Sequence, residues 1–328
     1  MTGWAYLWGL NSHHQVTGGG NKDLKQILPV RLRSVRDVVD ISCGGYFTLL
    51  LTHGGKVFSF GKGQHGRLGR GDQEDYSEPG EVCMDEVVVG VSAGLWHSAL
   101  VTDGGSIYIW GCGKVMGVKQ HMVVPRLVES LARTKISNVA CGNNYTLALG
   151  RDGSVYSWGS AGGSGVLGHG DTRDRTQPQK IQGLDGIEVT TIDAGNNHCG
   201  AVTRDNQVFL WGRAEGWGGK GAVLQPELLR LGEKVTMVSC SVGEHHPHTL
   251  ILTLQGQVYS CGDGYKGKLG LGDMEGRDTP CLVPGLDGVV QVVAGGIHSA
   301  ARDRDGRVYS WGCGSDGRLG HPGAEGHR

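Results

Sequence analysis

The chain is 328 residues long, its formal net charge is −1, and charged residues make up 19% of it. A chain so close to neutrality has no overall excess of positive charge with which to bind a nucleic-acid backbone or an anionic membrane surface. Glycine contributes 60 residues, more than twice the average usage of about 7%, which indicates many tight turns.

Seven short segments share one pattern, a run of β-forming residues that ends with an aromatic residue, or once a cysteine, and then a glycine. In chain order the segments are residues 5–9, 57–61, 107–111, 155–159, 208–212, 258–262 and 308–312, and they end at Gly9, Gly61, Gly111, Gly159, Gly212, Gly262 and Gly312. These glycines are 48 to 53 residues apart. A period so nearly constant indicates a repeat architecture, and we expect one domain spanning residues 1–328.

Each period contains the same sub-signals, as the one after Gly111 shows. Its first element, residues 125–128, begins with a proline, which suits an edge strand. Residues 136–142 and 145–149 are two β-rich runs, and an Asp-Gly turn at Asp152 leads into the next strand. A weak helical segment over 128–133 is the exception. Four short strands per period predict an all-β fold, a β-propeller of about seven four-stranded antiparallel blades.

Two further signatures recur in several of the periods. The first is Gly-Leu-Trp-His-Ser at 94–98, with related copies at 195–199 and 295–299. The second is Gly-Arg-Leu-Gly-Arg-Gly-Asp at 66–72, with copies at 165–171 and 267–273 and decayed forms at 114–117 and 218–221. With these motifs, essentially the whole chain resembles the regulator of chromosome condensation family, whose propeller has seven blades.

The two ends of the chain predict an irregular closure of the ring. The chain opens with only the outer two strands of a blade, and the blade that starts at Val289 reaches only its third strand. The opening half-blade has the form of that family's circular clasp, so we expect one blade to be incomplete, or closed by both termini. The alternative is six blades that close with an extra N-terminal strand.

No motif predicts catalysis, a cofactor or a metal site. Three Gly-x-Gly-x-x-Gly sequences, at 61–66, 262–267 and 312–317, are not followed by a helix whose N-terminus could hold a pyrophosphate. The repeat histidines are one blade apart, too far to share a metal ion, and are His97, His198, His248 and His298. Asp72, Asp171 and Asp273 recur at one turn, where we expect them to cap backbone N–H groups.

The cysteines and the hydropathy of the chain predict its compartment. Nine cysteines are scattered without a zinc-binding spacing, and no apolar run approaches the ~18 residues of a membrane span. We therefore expect no membrane insertion and an intracellular, cytoplasmic location with reduced thiols. A nuclear or ciliary location stays open.

The order of the strands in a blade predicts where a binding surface lies. The turn between the first two strands and the loop after the third strand leave a blade at the same end, and varied loops on a rigid scaffold usually carry recognition. We expect a partner-binding face there. Around its central opening lie Tyr46, Trp96, Asn143, Asn144, Asn196, Asn197, His245 and His246, and farther out lie His65, Arg67, Arg70, Tyr76 and Trp217.

The leading hypothesis is a non-enzymatic scaffold or adaptor that binds a partner protein and no nucleic acid directly. The resemblance implies an alternative, a guanine nucleotide exchange factor for a Ran-like small GTPase. In that class a projecting β-wedge distorts the nucleotide site and a basic N-terminal tail docks on chromatin, but no period here is long enough for a wedge and Trp4 starts the fold without a tail. A regulatory module of a larger ligase, kinase or ciliary protein is a third hypothesis.

Overall fold

The computed structural model describes residues 3–16, 25–243 and 246–323. In these ranges 25 β-strands form seven antiparallel sheets, of which five have four strands, one has three and one has two. The first strands of successive sheets contact one another, so they line the centre of the ring, and each chain segment then runs outward. The fold is a β-propeller, which confirms the predicted class.

The five four-stranded sheets, blades 1 to 5, follow one another along the chain. Blade 1 consists of β3 (Val38–Cys43), β4 (Phe47–Thr52), β5 (Val57–Gly61) and β6 (Tyr76–Val82). Blade 2 consists of β7 (Val88–Ala93), β8 (His97–Thr102), β9 (Ile107–Gly111) and β10 (Met122–Leu127). Blade 3 consists of β11 (Ile136–Cys141), β12 (Tyr145–Gly150), β13 (Val155–Gly159) and β14 (Arg175–Lys180).

Blade 4 consists of β15 (Val189–Ala194), β16 (His198–Thr203), β17 (Val208–Arg213) and β18 (Ala222–Leu229). Blade 5 consists of β19 (Val235–Cys240), β20 (His248–Thr253), β21 (Val258–Gly262) and β22 (Arg277–Leu282). Blade 6 has the three strands β23 (Val289–Ala294), β24 (His298–Asp303) and β25 (Val308–Gly312). The half-blade is the two-stranded sheet of β1 (Tyr6–Leu10) and β2 (Lys25–Arg31).

Short 3-10 helices interrupt the loops of the described ranges. They span Gln64–Gly66, Gly113–Met116, Glu129–Leu131, Gln182–Leu184, Ala214–Trp217, Tyr265–Gly267 and Ser315–Gly317. The weak helix expected over 128–133 is only the turn Glu129–Leu131. Among the described residues no helix is long and apolar enough to cross a membrane.

The core lies between blades. Every residue of the second strands β4, β8, β12, β16 and β20 is buried, because each of these strands is covered on both faces. Leu49 and Leu51 of blade 1, for example, belong to one apolar cluster with Leu100 and Trp110 of blade 2. A blade therefore buries its apolar faces only when its neighbours are present.

The repeat glycine that ends each third strand is a steric requirement. At Gly111 the backbone has φ +113°, and a Cβ there would lie 2.7 Å from the Cα of His97. All seven of these glycines have positive φ, between 99° and 113°. The tight approach of the third strand to the start of the second strand explains why the pattern ends with glycine.

Tryptophan side chains show where the half-blade lies. In blades 2, 4 and 6 the tryptophan before the repeat glycine donates its Nε1–H to a carbonyl in the loop of the preceding blade. These bonds join Trp110 to Arg67, Trp211 to Val166 and Trp311 to Lys268, at 2.8 to 2.9 Å. Trp8 of the half-blade donates in the same way to the carbonyl of Arg318, beyond blade 6, at 3.0 Å.

The half-blade therefore follows blade 6 around the ring and occupies the next position. On its other side Ala5 and Leu7 pack against Leu50 and Phe60 of blade 1. Six blades and this half-blade agree with the prediction of about seven blades with one incomplete.

Candidate partner-binding face

The turn after each first strand meets the loop after each third strand. The backbone N–H of Lys62 donates to the carbonyl of Tyr46 at 2.9 Å in blade 1, and Cys112 donates to Trp96 at 3.0 Å in blade 2. Both kinds of loop thus lie on one side of the propeller, which we name the loop face. This arrangement confirms that the two kinds of loop share one end of the blades, as the strand order predicts. Partner binding by this face stays a prediction.

One cluster on the loop face contains Trp96, Arg67 and His65. The guanidinium of Arg67 lies 4.9 Å from the centre of the half-buried Trp96 ring, and the His65 ring meets Trp96 edge-on at 5.6 Å. A guanidinium over an indole face is an attractive cation–π arrangement. The structure therefore brings three of the predicted face residues together.

Arg67 is more buried than its predicted position on the outer part of the face implies. It is 1% exposed, and its Nη1 donates to the carbonyls of Gly45 and Leu95 at 2.8 and 3.1 Å. Burial lowers the pKa of Arg67 to about 10. The side chain joins the inner turns of blades 1 and 2, so it supports Trp96 and is not itself available to a partner.

His65 has a second neighbour that the sequence did not indicate. Its Nδ1 lies 3.1 Å from Nε2 of His121, and the thiol of Cys112 is close to both imidazoles. Burial lowers the pKa of His65, and electrostatic interactions with His121, Arg67 and Lys62 lower it further.

A second cluster surrounds Tyr46, which adopts φ 67° and is 45% exposed. The His13 ring meets the Tyr46 ring edge-on at 5.3 Å, and the Lys62 ammonium lies 5.4 Å from the ring centre. His13 Nδ1 is 3.2 Å from a carboxylate oxygen of Asp75. The exposed Tyr46 ring therefore lies near a positively charged group, Lys62, and the Tyr46–His13 pair lies near a negatively charged one, Asp75.

A third cluster surrounds His246, whose ring stacks on Tyr265 at 4.5 Å. His246 Nδ1 is 3.1 Å from Asp263, and the buried Lys268 ammonium pairs with the same carboxylate. Burial alone would raise the pKa of Asp263, but hydrogen bonds from Lys268, the Tyr265 backbone and His246 lower it below its usual value. Asp263 therefore remains ionised and holds the cluster in place.

Asparagines line the central opening. Asn196 is 6% exposed and its Nδ2 donates to the carbonyl of Gly243 at 2.9 Å, while Asn143 is half-buried. Both line a cavity of about 90 Å³ together with the paired glycines of the inner turns. Small-molecule sites usually measure about 300–1,000 Å³. The half-buried Asn144 and Asn197 accept backbone hydrogen bonds from the neighbouring loops.

The remaining predicted face residues lie apart from these clusters. Arg70 stacks at 3.6 Å on Tyr76, whose hydroxyl donates to Asp72 at 2.6 Å. Trp217 is half-buried, packs against the core between blades 4 and 5, and has its ring 6.0 Å from that of His198. His245 lies outside the described residues.

The repeat histidines and aspartates have structural roles. His97, His198 and His248 are fully buried, and each Nε2 lies 2.8 to 3.0 Å from a Thr or Ser hydroxyl of the next blade. Asp72, Asp171 and Asp273 each accept a backbone N–H two residues later. Both findings confirm the structural interpretation of these residues.

Sequence reasoning missed His13, Cys112, His121, Tyr265 and Lys268. One signal could have found His121, which directly precedes the outer strand of its blade. Asp75 and Asp174 stand at that position in blades 1 and 3, where each accepts a backbone N–H at 2.8 Å. An alignment of the blades would have shown a histidine in place of an aspartate.

A family model and several relatives match most of this chain. A family model described as the RCC1-like domain matches residues 4–327. The chain is 33% identical to the ultraviolet-B receptor UVR8 of Arabidopsis thaliana in an alignment of 300 residues that covers 87% of this chain and 67% of that protein. It is 32% identical to the mouse regulator of chromosome condensation, over 92% of this chain and 78% of the relative.

Another relative is far longer than this chain. Human E3 ubiquitin-protein ligase HERC2 is 31% identical over 98% of this chain, but this match spans only 6% of the ligase.

Two solved structures share the fold over nearly the whole chain. Human WBSCR16 has a TM-score of 0.88 at 24% identity, covering 99% of this chain and 92% of the other. Prp20p from Saccharomyces cerevisiae has a TM-score of 0.84 at 25% identity, covering 98% and 83%, and its description reports binding to Gsp1p and histones.

Proposed function

This chain belongs to the RCC1-like domain family, and on that premise we propose that it is a non-enzymatic protein-interaction propeller, a scaffold or adaptor that binds a partner protein through its loop face. The observation that carries the proposal is the presence of three aromatic clusters, around Trp96, Tyr46 and Tyr265, on that one face.

The chemistry of the clusters suits protein recognition. Tryptophan, tyrosine and arginine are enriched among the residues that dominate the binding energy of protein interfaces. The two aromatic side chains give large contact areas and have few rotatable bonds. Trp96 is half-buried and held by Arg67, and Tyr46 is exposed beside Lys62. Aromatic side chains that are already fixed lose little conformational freedom when a partner binds.

The geometry of the opening supports a protein partner over a small ligand. The central cavity is about 90 Å³, whereas the clusters are spread over loops of blades 1, 2 and 5. Protein interfaces are extended, with roughly 800 Å² per partner, and a surface that spans several blades has this extended character.

Affinity capture tests this proposal. The double variant Trp96→Ala, His246→Ala should lose one or more partner proteins that the wild type captures. Leu254→Ala provides a matched control, because Leu254 is 58% exposed and follows β20 at the other end of blade 5. Identical partner sets for the wild type and the folded double variant would overturn the choice of face.

The second candidate function is guanine nucleotide exchange on a Ran-like GTPase. Identity of 32% to the mouse regulator of chromosome condensation and likeness to Prp20p, described with Gsp1p, support it. In the described ranges the sheets contain only blade strands, without an added β-wedge. Release of a fluorescent guanine nucleotide from purified GTPases would test it: clear acceleration favours exchange, and unchanged release favours the scaffold.

We also propose an intracellular, cytoplasmic location. All nine cysteines are free, as is usual in a reducing compartment. Microscopy of a tagged chain would test the location, with nuclear or ciliary signal as the contrary outcomes.

A further inference from the structure

Three donor side chains from two blades meet on the loop face. His65 comes from the 3-10 turn of blade 1, Cys112 follows the repeat glycine of blade 2, and His121 directly precedes β10. One donor atom from each of them lies within 4.8 Å of the others. His65 and Cys112 are half-buried and His121 is exposed, so solvent reaches the group.

His121 stands at the position that Asp75 and Asp174 occupy in blades 1 and 3. Asp75 and Asp174 each use a carboxylate oxygen to accept a backbone N–H at 2.8 Å, and His121 accepts from Gly113 through Nδ1 at 3.2 Å. An imidazole also has a second nitrogen, which can make a separate contact in another direction. In His121 this second nitrogen, Nε2, is the atom that approaches His65.

The contact between the imidazoles is made through their nitrogen atoms. His65 Nδ1 and His121 Nε2 are 3.1 Å apart, with the ring planes tilted by 56°. Donor atoms bound to one tetrahedral Zn²⁺ at 2.0–2.3 Å lie about 3.3–3.8 Å apart. Small side-chain movements therefore bring all three donors to metal-binding distance.

We propose that His65, Cys112 and His121 form a binding site for one zinc ion. Imidazole and thiolate are both ligands of zinc, and a three-residue set leaves the fourth coordination position open. Because the site is accessible to solvent, water or a side chain of a bound protein can occupy that position.

The surroundings are compatible with a metal ion. Arg67 is close enough to Cys112 for the two side chains to interact electrostatically. The Arg67 guanidinium donates to the carbonyls of Gly45 and Leu95, so the backbone of the inner turns holds it in place. To bind zinc through Nε2, a neutral His121 must carry its proton on Nδ1. Nδ1 then no longer accepts the 3.2 Å hydrogen bond from the Gly113 N–H, so this bond would be lost when zinc binds.

The site lies beside the Trp96 cluster but does not depend on partner binding. The His65 ring that offers Nδ1 to the metal also meets the indole of Trp96 edge-on at 5.6 Å. Zinc binding can therefore be measured on the purified chain alone, whatever the outcome of the partner experiment.

The test uses the full chain, reduced with a phosphine and stripped of metal. Zinc affinity is measured by competition with a chromogenic chelator, and Co²⁺ is used as a spectroscopic probe of thiolate coordination. The variants are Cys112→Ser and His121→Asn, whose amide oxygen can still accept the Gly113 N–H. The controls are Cys83→Ser and His53→Asn, since both residues are exposed and lie outside the group.

We expect one zinc per wild-type chain with a Kd of about 1 µM or tighter. Each ligand variant should bind at least about 100-fold more weakly, beyond the 10–100-fold effect of groups that only orient a ligand. The Co²⁺ form of the wild type should show a thiolate charge-transfer band that Cys112→Ser lacks. Both controls should match the wild type.

A zinc Kd of the wild type weaker than about 1 µM would overturn the proposal. A site that binds Cu(I) selectively and not zinc would overturn it as well. Zinc binding unchanged by either ligand variant would also overturn it. Thermal unfolding shows whether each variant is folded. Zinc should raise the melting temperature of the wild type and of both controls, and should leave that of folded His121→Asn unchanged.

Discussion

The indole of Trp8 and the backbone of Arg318 are 310 positions apart in sequence and are joined by a hydrogen bond of 3.0 Å. The same ring lies against Gly320, where a Cβ would come within 2.8 Å of Nε1. This contact attaches the half-blade to blade 6 by the interaction that joins complete blades. It links the first strands of the chain to its last loop.

Replacing Trp8 with alanine should loosen the half-blade while the rest of the ring stays folded. Loss of about 2 kcal/mol in local stability corresponds to roughly 30-fold more frequent opening. Limited trypsin digestion should then cut faster at Lys25, Arg31 and Arg33. Tyr6→Ala is the control, because Tyr6 is 50% exposed. Equal cleavage rates in the two variants would contradict this attachment.

Arg67→Lys should destabilise the protein although it preserves the positive charge. The guanidinium makes hydrogen bonds to Gln64, Gly45 and Leu95, and a lysine cannot reproduce this planar set of donors. We expect the free energy of unfolding to fall by about 3 kcal/mol in denaturant titration. Arg173→Lys, whose side chain is 84% exposed, should change it by less than about 0.5 kcal/mol. Equal stabilities would show that Arg67 does not join the two turns.

Gly111→Ala tests the steric basis of the repeat. The new Cβ would lie 2.7 Å from both the His97 Cα and the Trp96 carbonyl oxygen, at a backbone angle of φ +113°. Strain and overlap together should cost about 3 kcal/mol or more, measured by thermal and denaturant unfolding. Gly54→Ala is the matched control, because its Cβ meets nothing within 4 Å and its φ is not positive. A small effect at Gly111 would mean that the strand ends can separate.

Asp193→Asn should change the pH dependence of stability. Asp193 accepts a hydrogen bond from the Cys240 N–H, and burial raises its pKa from 3.8 to about 6, against opposing hydrogen bonds from Cys240, Ala194 and Ser239. Because the pKa is higher in the folded state, this contribution to stability is complete below about pH 4 and is lost as pH rises through about 6.

The stability of the wild type relative to Asp193→Asn should therefore fall between pH 4 and pH 7, by on the order of 2 kcal/mol. Urea titrations at several pH values measure the difference. Asp85→Asn, at an exposed aspartate, is the control. Parallel curves for the wild type and Asp193→Asn would show that the carboxyl does not titrate in this range.

The sequence by itself determined the blades and the side on which their loops lie. The spacing of the repeat glycines, the Asp-Gly turns and the alternating strands specify hydrogen bonds between neighbouring segments of one blade, and such local signals are visible in any single copy. The sequence also predicted which loops lie on the loop face, because the order of the strands in a blade determines which turns leave the blade at the same end. For the same reason the sequence predicted that Trp96 and Tyr46 lie on this face.

Only the tertiary structure decided which side chains from different blades meet. Arg67 is buried because the inner turns of blades 1 and 2 close over it, and His65 reaches His121 through a left-handed backbone at φ 67° and a loop of another blade. These distances depend on the angle between blades and on loop conformation, and neither has a periodic signal in the sequence. The position of the half-blade beside Arg318 was likewise set by long-range contacts.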